Sequence, residues 1–128
     1  MANGRILRGE VYWVCLDDSM GSEQMTGRPA VILSGNSNNE KCDTVVVAFL
    51  TSQPKSYNVA VKVLVSGEQN TVLCNQLRTV DKQRLTKHMC TLTVEEMRRV
   101  TGGLAVALCV PLAPPIAPKP QPQPQPDD

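Results

Sequence analysis

The sequence predicts a mainly β domain, arranged as a small barrel or sandwich and closed by one C-terminal helix. Short apolar runs recur along the chain, separated by the turn-forming segments GNSNNE, SQPKS and SGEQ. One run, NVAVKVLV at 58–65, alternates valines with other residues, which is typical of a strand with one buried face. Thr93 and Glu96 form a T-x-x-E capping box, which marks the start of the helix.

Six strands are predicted before that helix, and the first five lie at 11–16, 29–33, 44–50, 58–65 and 71–77. The first two are short apolar runs, and the third, TVVVAFL, is rich in β-branched residues. TVDKQRLTK is interpreted as a short helix or turn before a last strand, HMCTL.

In the closing helix, apolar side chains fall on one face at helical spacing: Met97, Val100, Leu104 and Leu108. Gly102 and Gly103 lie inside the same helix, where they either interrupt it or let another backbone approach closely.

The composition changes sharply after Val110, because the segment 111–128 holds eight of the ten prolines. Proline has no backbone N–H donor, so this segment is predicted to be extended, mostly polyproline II, and outside the fold. We therefore expect one folded domain, residues 1–110, followed by a disordered proline-rich tail, residues 111–128.

Charge and cysteine content narrow the class of protein. A net charge of +1 does not by itself indicate a nucleic-acid binder, although arginines near glycines and in probable loops leave room for a local basic groove. The five cysteines are odd in number and widely spaced, without a CxxC motif, which argues against a disulfide framework and a zinc site. Cys15, Cys74 and Cys109 lie in apolar runs and are predicted to be buried.

The apolar runs also bear on location. None of them approaches the roughly 20 residues that a membrane span needs, and the N-terminal stretch MANGRILRGE has no apolar signal region. A cytoplasmic location is therefore expected, without a membrane partner.

The loop GSEQMTGRP, before the second strand, carries the densest polar chemistry. Pro29 disfavours helical geometry at Arg28, so Arg28 is expected to be extended at a strand entrance, where its guanidinium can bind an anion bidentately. Three further polar side chains stand at the same rim: Ser22, Glu23 and Gln24. This set suits a phosphate and the edge of a base better than an apolar ligand.

Polar residues at two other strand ends could complete such a site. Thr51 and Ser52 end the apolar strand TVVVAFL. The stretch NQLRT, which includes Gln76 and Arg78, ends another strand with amides and an arginine.

Five stretches, taken together and in order, resemble the MazF/PemK family of toxin endoribonucleases from type II toxin–antitoxin systems. They are RGEVYWVCLDDSMGSEQ, GRPAVILS, VVVAFLTS, VLCNQLRTVDKQRLTK and LTVEEMRRV, which cover nearly all of residues 8–108. Each stretch alone is a weak signal, but five in register are strong. The resemblance implies a small SH3-like β-barrel with a C-terminal helix, forming a homodimer.

The resemblance also implies an activity. It is sequence-specific cleavage of single-stranded RNA, independent of ribosomes and of metal, by attack of the ribose 2′-hydroxyl. The products are a 2′,3′-cyclic phosphate and a 5′-hydroxyl end. The implied partners are messenger RNA, a cognate antitoxin protein and a second copy of the chain, and no cofactor is expected.

Residue roles follow from the matched motifs. Arg28 matches the catalytic arginine that precedes a proline, and Thr51 matches the catalytic threonine that ends the third strand. The Gly-Ser-Glu-Gln loop and Gln76 match residues that contact RNA. We also expect Ser52 and Arg78, at the same strand ends, to bind RNA.

The general base stays open at this point. An arginine is a poor proton acceptor, so Glu23 is our candidate for a base that accepts the 2′-hydroxyl proton. His88 is the alternative, although it lies away from the matched motifs and a structural or surface role is favoured for it.

The chain departs from the family pattern at two places. Met25 and Thr26 stand where relatives often have two glycines, and Asn75 stands before Gln76 where many have a glutamate. Two alternative functions therefore remain: a CcdB-like poison of DNA gyrase, or a degenerate dimer that binds an antitoxin without cleaving RNA.

Overall fold

The computed structural model describes residues 4–16, 26–53, 55–57 and 59–112. Within these ranges the elements follow in the order β1 (Glu10–Cys15), β2 (Gly27–Ile32), α1 (Asn36–Lys41), β3 (Thr44–Thr51), β4 (Ala60–Val65), β5 (Glu68–Asp81), a 3-10 turn (Lys82–Arg84), β6 (Leu85–Thr91) and α2 (Val94–Leu108). The predicted fold class, mainly β with a C-terminal helix, is confirmed.

The six strands form one antiparallel sheet in the order β4-β5-β3-β2-β1-β6, curled into a half-barrel. The long strand β5 pairs with β4 and with β3, and the chain then passes through the 3-10 turn into β6, which pairs with β1. The hairpin between β4 and β5 turns at Ser66 and Gly67, whose φ angles are 51° and 86°. The predicted SGEQ turn therefore lies at a two-residue hairpin turn with positive φ at both positions.

The sheet carries an apolar cluster on each face, and alternate residues of β2 enter the two different clusters. On β2, Val31 belongs to the cluster under α2, whereas Ala30 and Ile32 belong to the cluster on the opposite face. Phe49 of β3 shares that opposite face. This alternation fixes which side chains can meet on the face away from α2.

Helix α2 begins at the predicted capping box. The Thr93 hydroxyl accepts from Glu96 N, and Glu96 Oε1 accepts from Thr93 N at 2.9 Å. Of the four residues with helical spacing, Met97 and Val100 are buried and Leu104 is half-buried. Leu108 is 55% exposed, so the apolar face of α2 is buried only as far as Leu104.

The glycine pair does not interrupt α2. A Cβ at Gly103 would lie 2.8 Å from Cys74 Sγ of β5 and 3.1 Å from Val61 Cγ2 of β4, whereas a Cβ at Gly102 would meet nothing within 4 Å. Gly103 therefore allows the helix to approach the sheet closely, which is the second of the two predicted roles.

Two side chains of α2 also satisfy backbone groups along β4, which stands at one end of the sheet order. Glu96 Oε2 accepts from Leu64 N at 2.7 Å, and Arg99 Nη1 donates to Lys62 O at 2.7 Å. Burial acts to raise the pKa of Glu96, but backbone hydrogen bonds from Thr93 and Leu64 outweigh it and lower that pKa.

Two local assignments differ from the prediction. The segment GNSNNE, expected to be a turn, contributes to α1, since Asn39 is buried and its Nδ2 donates to Ser34 O at 2.9 Å. Strand β6 begins at Leu85 rather than at His88, because the 3-10 turn before it spans only Lys82–Arg84. Asp81 caps this turn, since its carboxylate accepts from Gln83 N.

The cysteines divide by position. Cys15 and Cys74 are buried as predicted, but Cys109 is exposed and its predicted burial is wrong. It caps the end of α2 with a φ of 55°, beyond the part of the helix that covers the sheet.

The C-terminal boundary falls at the edge of the described residues. Pro111 and Leu112 are exposed and have no regular secondary structure, while residues 113–128 lie outside the described ranges. The domain boundary at 110 and the disordered tail therefore stay predictions. The helices of the described ranges include none with the length and apolar character to cross a membrane.

Candidate active site

Arg28 is held at the entrance of β2, extended as predicted. Its guanidinium carbon lies 4.9 Å from the centroid of the Phe49 ring, and its Nη2 donates to Leu50 O at 3.4 Å. Val14 is its partner on β1. The aromatic ring and the carbonyl together fix the guanidinium over the face of the sheet that lies away from α2.

Thr51 lies at the same end of the sheet, as the last residue of β3. The register between β2 and β3 pairs Ala30 with Phe49, and two further residues along each strand bring Arg28 opposite Thr51. Thr51 Oγ1 accepts from Gln53 N at 3.2 Å, so its own hydroxyl hydrogen can be donated to a ligand. Ser52 follows at once and is exposed.

An irregularity in β5 brings Gln76 into the same neighbourhood. Ala48 pairs with Leu77, but Leu50 pairs with Val72, so residues 73–76 of β5 stand opposite Phe49 alone. Asn75 and Gln76 are consecutive and both exposed, as expected where a bulge breaks the alternation of a strand. Gln76 therefore lies on the strand next to Phe49, toward the end of the sheet where Arg28 lies.

Arg78 lies farther along the same face. It pairs with Val47, four residues before Thr51 on β3, which corresponds to about 13 Å along the strand. The structure thus gathers Arg28, Thr51, Ser52 and Gln76 and places Arg78 at a distance.

The predicted loop residues Ser22, Glu23 and Gln24 lie outside the described residues. The two ends of their loop are described: Leu16 N donates to Thr26 O at 2.9 Å, and Cys15 pairs with Gly27. The loop therefore leaves and re-enters the sheet next to Arg28.

His88 belongs to a different cluster. Its Nε2 lies 3.4 Å from Glu10 Oε2, and its ring lies 5.3 Å from the ring of Tyr12, edge to face. His88 pairs with Tyr12, and Tyr12 pairs with Ala30 of β2, so two strand spacings, about 10 Å, separate His88 from that strand. Burial, with the nearby Glu10 carboxylate, raises the pKa of Tyr12 to about 12.

The electrostatics of the cluster favour an anion. Among the described residues, no carboxylate forms an ion pair with Arg28 within 4.0 Å, so its charge is available to a ligand. In the same ranges, no group of three or more His, Cys, Asp or Glu side chains is placed to hold a metal ion.

Sequence reasoning missed Phe49 as the support of Arg28, and it missed the bulge. The two adjacent polar residues Asn75 and Gln76, directly after the buried run TVLC, break the period of two and could have signalled the bulge. The Phe49 contact has no local signal, because it depends on the pairing of two strands.

The comparisons with known proteins agree with one another. Residues 7–108 match the family model described as "PemK-like, MazF-like toxin of type II toxin-antitoxin system". The chain is 31% identical over 109 residues to Endoribonuclease EndoA of Bacillus subtilis (strain 168), a similarity that covers 80% of this chain and 94% of the relative.

Solved structures show the same fold. An endoribonuclease from a mycobacterial species is similar with a TM-score of 0.72 and 25% identity, over 86% of this chain and 97% of that one. A mycobacterial endoribonuclease in complex with its cognate antitoxin is similar with a TM-score of 0.71 and 27% identity, over 84% of this chain and 99% of that one. With the family match spanning most of its length, this chain belongs to the PemK-like, MazF-like toxins of type II toxin–antitoxin systems.

Proposed function

We propose that this protein is the toxin of a toxin–antitoxin pair and acts as a sequence-specific endoribonuclease on single-stranded RNA, without a metal or a ribosome. The observation that carries the proposal is the meeting of Arg28 and Thr51 at one end of the sheet, with Gln76 beside them. The endoribonuclease names of the Bacillus subtilis relative and of the mycobacterial structures support the reaction type.

The chemistry follows from the placement of the two catalytic side chains. Attack of a 2′-hydroxyl on the adjacent phosphorus adds negative charge to the non-bridging oxygens. Arg28 is preorganised by the Phe49 ring and the Leu50 carbonyl, so its guanidinium can stabilise that charge without reorganising. Thr51 donates a hydrogen bond to the same phosphate. As the bond from the 2′-oxygen to phosphorus forms, the bond from phosphorus to the 5′-oxygen breaks and that oxygen takes a proton from solvent, which leaves a 2′,3′-cyclic phosphate and a 5′-hydroxyl end.

The 2′-hydroxyl proton needs an acceptor, and we assign it to Glu23. Both ends of the loop that carries Glu23 adjoin Arg28, whereas His88 lies on the far side of β1. A Glu23→Gln variant that keeps full cleavage at neutral pH would exclude this role. The expected result is a much lower rate and the loss of the acidic limb of the pH–rate profile, because a glutamine does not titrate.

We assign base recognition to the polar side chains around Arg28 and Thr51. Asn75 and Gln76 project from the bulge, and Ser52, Ser22 and Gln24 complete the set of groups that can bond the edges of splayed bases. Arg78 is suited to an outer phosphate, because it stands about 13 Å from the catalytic pair along the sheet. DNA is excluded as a substrate because it lacks the attacking hydroxyl.

The proposal includes three partners and a location. The protein forms a homodimer in the cytoplasm, where messenger RNA is its substrate. A cognate antitoxin inhibits it by laying a disordered, acidic and apolar segment into the RNA groove, where that segment folds on binding. The similar mycobacterial endoribonuclease structure in complex with its cognate antitoxin supports this kind of partner.

The test is cleavage of a long single-stranded RNA of mixed sequence in EDTA, with every new end mapped. We expect cuts at one short motif with 5′-hydroxyl ends. Arg28→Ala should lower the rate about 100- to 1,000-fold, as for the loss of one preorganised charge-stabilising donor. Arg28→Lys keeps the charge but loses the planar guanidinium that can donate two parallel hydrogen bonds, so it should retain only part of the rate.

Arg98→Ala is the matched control, because Arg98 is an exposed arginine of α2 that pairs with Glu95. It should cut like the wild type. Intact RNA with the folded wild-type chain would overturn the proposal, and inhibition of DNA gyrase supercoiling would then favour the poison. A folded dimer inactive in both assays, yet bound by an antitoxin, would indicate the degenerate form.

A further inference from the structure

A second basic surface lies at the β4 edge of the sheet, away from Arg28. A cavity of about 480 Å³ opens there between the end of the β3–β4 connection, β4 and α2. Its lining includes three cationic side chains and one tyrosine: Lys55, Lys62, Arg99 and Tyr57. We call these four residues the β4 edge site.

The pairing of the strands places this site in line with the proposed catalytic pair. Lys62 of β4 pairs with Thr71 of β5, and Thr71 pairs with Thr51 of β3. Paired residues share a face of an antiparallel sheet, so Lys62 and Thr51 project from the same face, two strand spacings or about 10 Å apart. Thr71 itself is only 2% exposed, so a ligand that contacts both Lys62 and Thr51 does not touch the Thr71 side chain.

Within the described residues, the Glu96 carboxylate partly offsets the charge of Arg99, whose proximity helps to lower the pKa of Glu96, while Lys55 and Lys62 have no carboxylate partner within 4.0 Å. Lys55, Lys62 and Arg99 are exposed, and none of them forms an ion pair there within 4.0 Å. The carboxylate of Glu96 accepts from two backbone N–H groups, and Glu95 pairs with Arg98. Arg99 is held by its bond to the Lys62 carbonyl, so its position is fixed before any ligand arrives.

Tyr57 connects the β4 edge site with the polar residues of the β5 bulge, Asn75 and Gln76. Its ring is 40% exposed, and its hydroxyl donates to Asn75 Oδ1 at 3.5 Å. Asn75 stands next to Gln76 in the bulge of β5. Tyr57 therefore joins the polar residues of the β5 bulge to the cationic cavity.

We propose that the β4 edge site binds the sugar–phosphate backbone of single-stranded RNA next to the cleaved bond, with one unpaired base stacked on Tyr57. This inference rests on the proposed function and extends it to residues outside the catalytic cluster. A cationic groove beside an aromatic ring is the combination by which proteins hold single strands without reading their sequence. The alignment of Lys62 with Thr51 favours RNA over an acidic protein segment as the ligand.

The test is binding of a fluorescent 2′-O-methyl oligoribonucleotide of mixed sequence, which cannot be cleaved because its 2′-hydroxyls are blocked. Lys62→Ala should weaken binding about three- to tenfold at low salt and lower the slope of log K against log salt by about 0.7, the loss of one phosphate contact. Lys62→Arg should retain most of the affinity. In cleavage assays Lys62→Ala should raise KM and leave kcat unchanged, because the lysine does not touch the reacting atoms.

Lys87→Ala is the matched control, since Lys87 is an exposed lysine of β6, the strand at the opposite end of the sheet order. It makes the same change of charge and should bind like the wild type. Tyr57→Leu should weaken binding without changing the salt slope, because stacking is lost and no charge changes. The side chain of Lys62 is exposed, so Lys62→Ala and Lys62→Arg should have the same melting temperature as the wild type.

Unchanged affinity and salt slope for Lys62→Ala and for the Lys55→Ala/Lys62→Ala double variant would overturn the inference. So would unchanged RNA binding combined with weaker binding of an acidic peptide, which would assign the site to a protein. The proposed function fails separately, if the wild type leaves cleavable RNA intact. In that case a Lys62-dependent affinity for the 2′-O-methyl probe would still support the site.

Discussion

The two adjacent glycines of α2 should respond in opposite directions to the same substitution. Gly102→Ala places a Cβ where nothing lies within 4 Å, so only the gain in helix propensity remains, about 1 kcal/mol. For a domain of this size that raises Tm by about 4 °C. Gly103→Ala gains the same propensity, but its Cβ would stand 2.8 Å from Cys74 Sγ and 3.1 Å from Val61 Cγ2.

The cost of that overlap exceeds the gain. Cys74 and Val61 are buried between the sheet and α2, so neither can move aside into solvent. Forcing an extra carbon into a packed core typically costs about 1–3 kcal/mol, and the 2.8 Å contact places Gly103→Ala in the upper part of that range, about 2–3 kcal/mol, before the propensity gain of about 1 kcal/mol is subtracted. We therefore expect Gly103→Ala to be destabilised by a net of about 1–2 kcal/mol, which separates the two variants by about 2–3 kcal/mol.

Urea unfolding followed by circular dichroism measures both variants at one protein concentration, because assembly of subunits would make stability depend on concentration. A Gly103→Ala/Cys74→Ala double variant removes the closest contact atom. It should lose less stability than the sum of its two single variants. If Gly102→Ala and Gly103→Ala stabilise the protein equally, α2 does not lie as close to β5 as the structure places it.

Three further predictions concern the same framework. Glu96→Gln should lower the free energy of unfolding by about 1–2 kcal/mol at pH 7, because the two carboxylate oxygens accept from Thr93 N and Leu64 N, whereas an amide offers only one oxygen and no charge. The folded state lowers the pKa of Glu96 from its ordinary 4.5, so its stabilisation is complete above that value and is lost as pH falls through the lowered pKa. Urea midpoints should therefore converge between wild type and variant in acid, whereas the exposed Glu95→Gln should change little at either pH. Exposed Cys109 should react with a thiol reagent in the native protein. Cys74 should react only after unfolding, because it is buried and its burial raises the pKa of its thiol to about 11. Mass spectrometry of the labelled peptides distinguishes the two cysteines. Gly67→Ala should cost about 1 kcal/mol by urea unfolding, because φ is 86° there, and an unchanged midpoint would contradict the hairpin turn.

Local patterns in the sequence were sufficient for the strands and for the start of α2, because alternation and a capping box are written within a few residues. They were insufficient for α1, whose asparagine-rich segment has little intrinsic helix preference and depends on the burial of Asn39 against Ser34. Leu108 has the correct helical spacing, yet spacing does not tell where the sheet beneath the helix ends.

The candidate site, too, could be predicted from the sequence only in part. The Arg28-Pro29 pair and the polar end of β3 could be found from the sequence, since each is a feature of adjacent residues. The support of Arg28 by Phe49 and the alignment of Lys62 with Thr51 could not, because they depend on the register of strands distant in sequence. The roles of Arg28, Thr51 and Glu23 stay predictions that the cleavage experiments address.

The hydrogen bonds from Glu96 and Arg99 to β4 also bear on how the chain is made. They occupy backbone groups that would otherwise be a template for another strand, and the segment AVKVLV is of the length and composition that pairs readily between chains. A ribosome synthesises β4 before α2, so this template stays open until residues 94–108 have emerged, with the charge of Lys62 as its main protection. Nascent or truncated chains that end before Val94 should therefore aggregate. Once α2 has been synthesised, it covers the exposed backbone of β4 and prevents that aggregation.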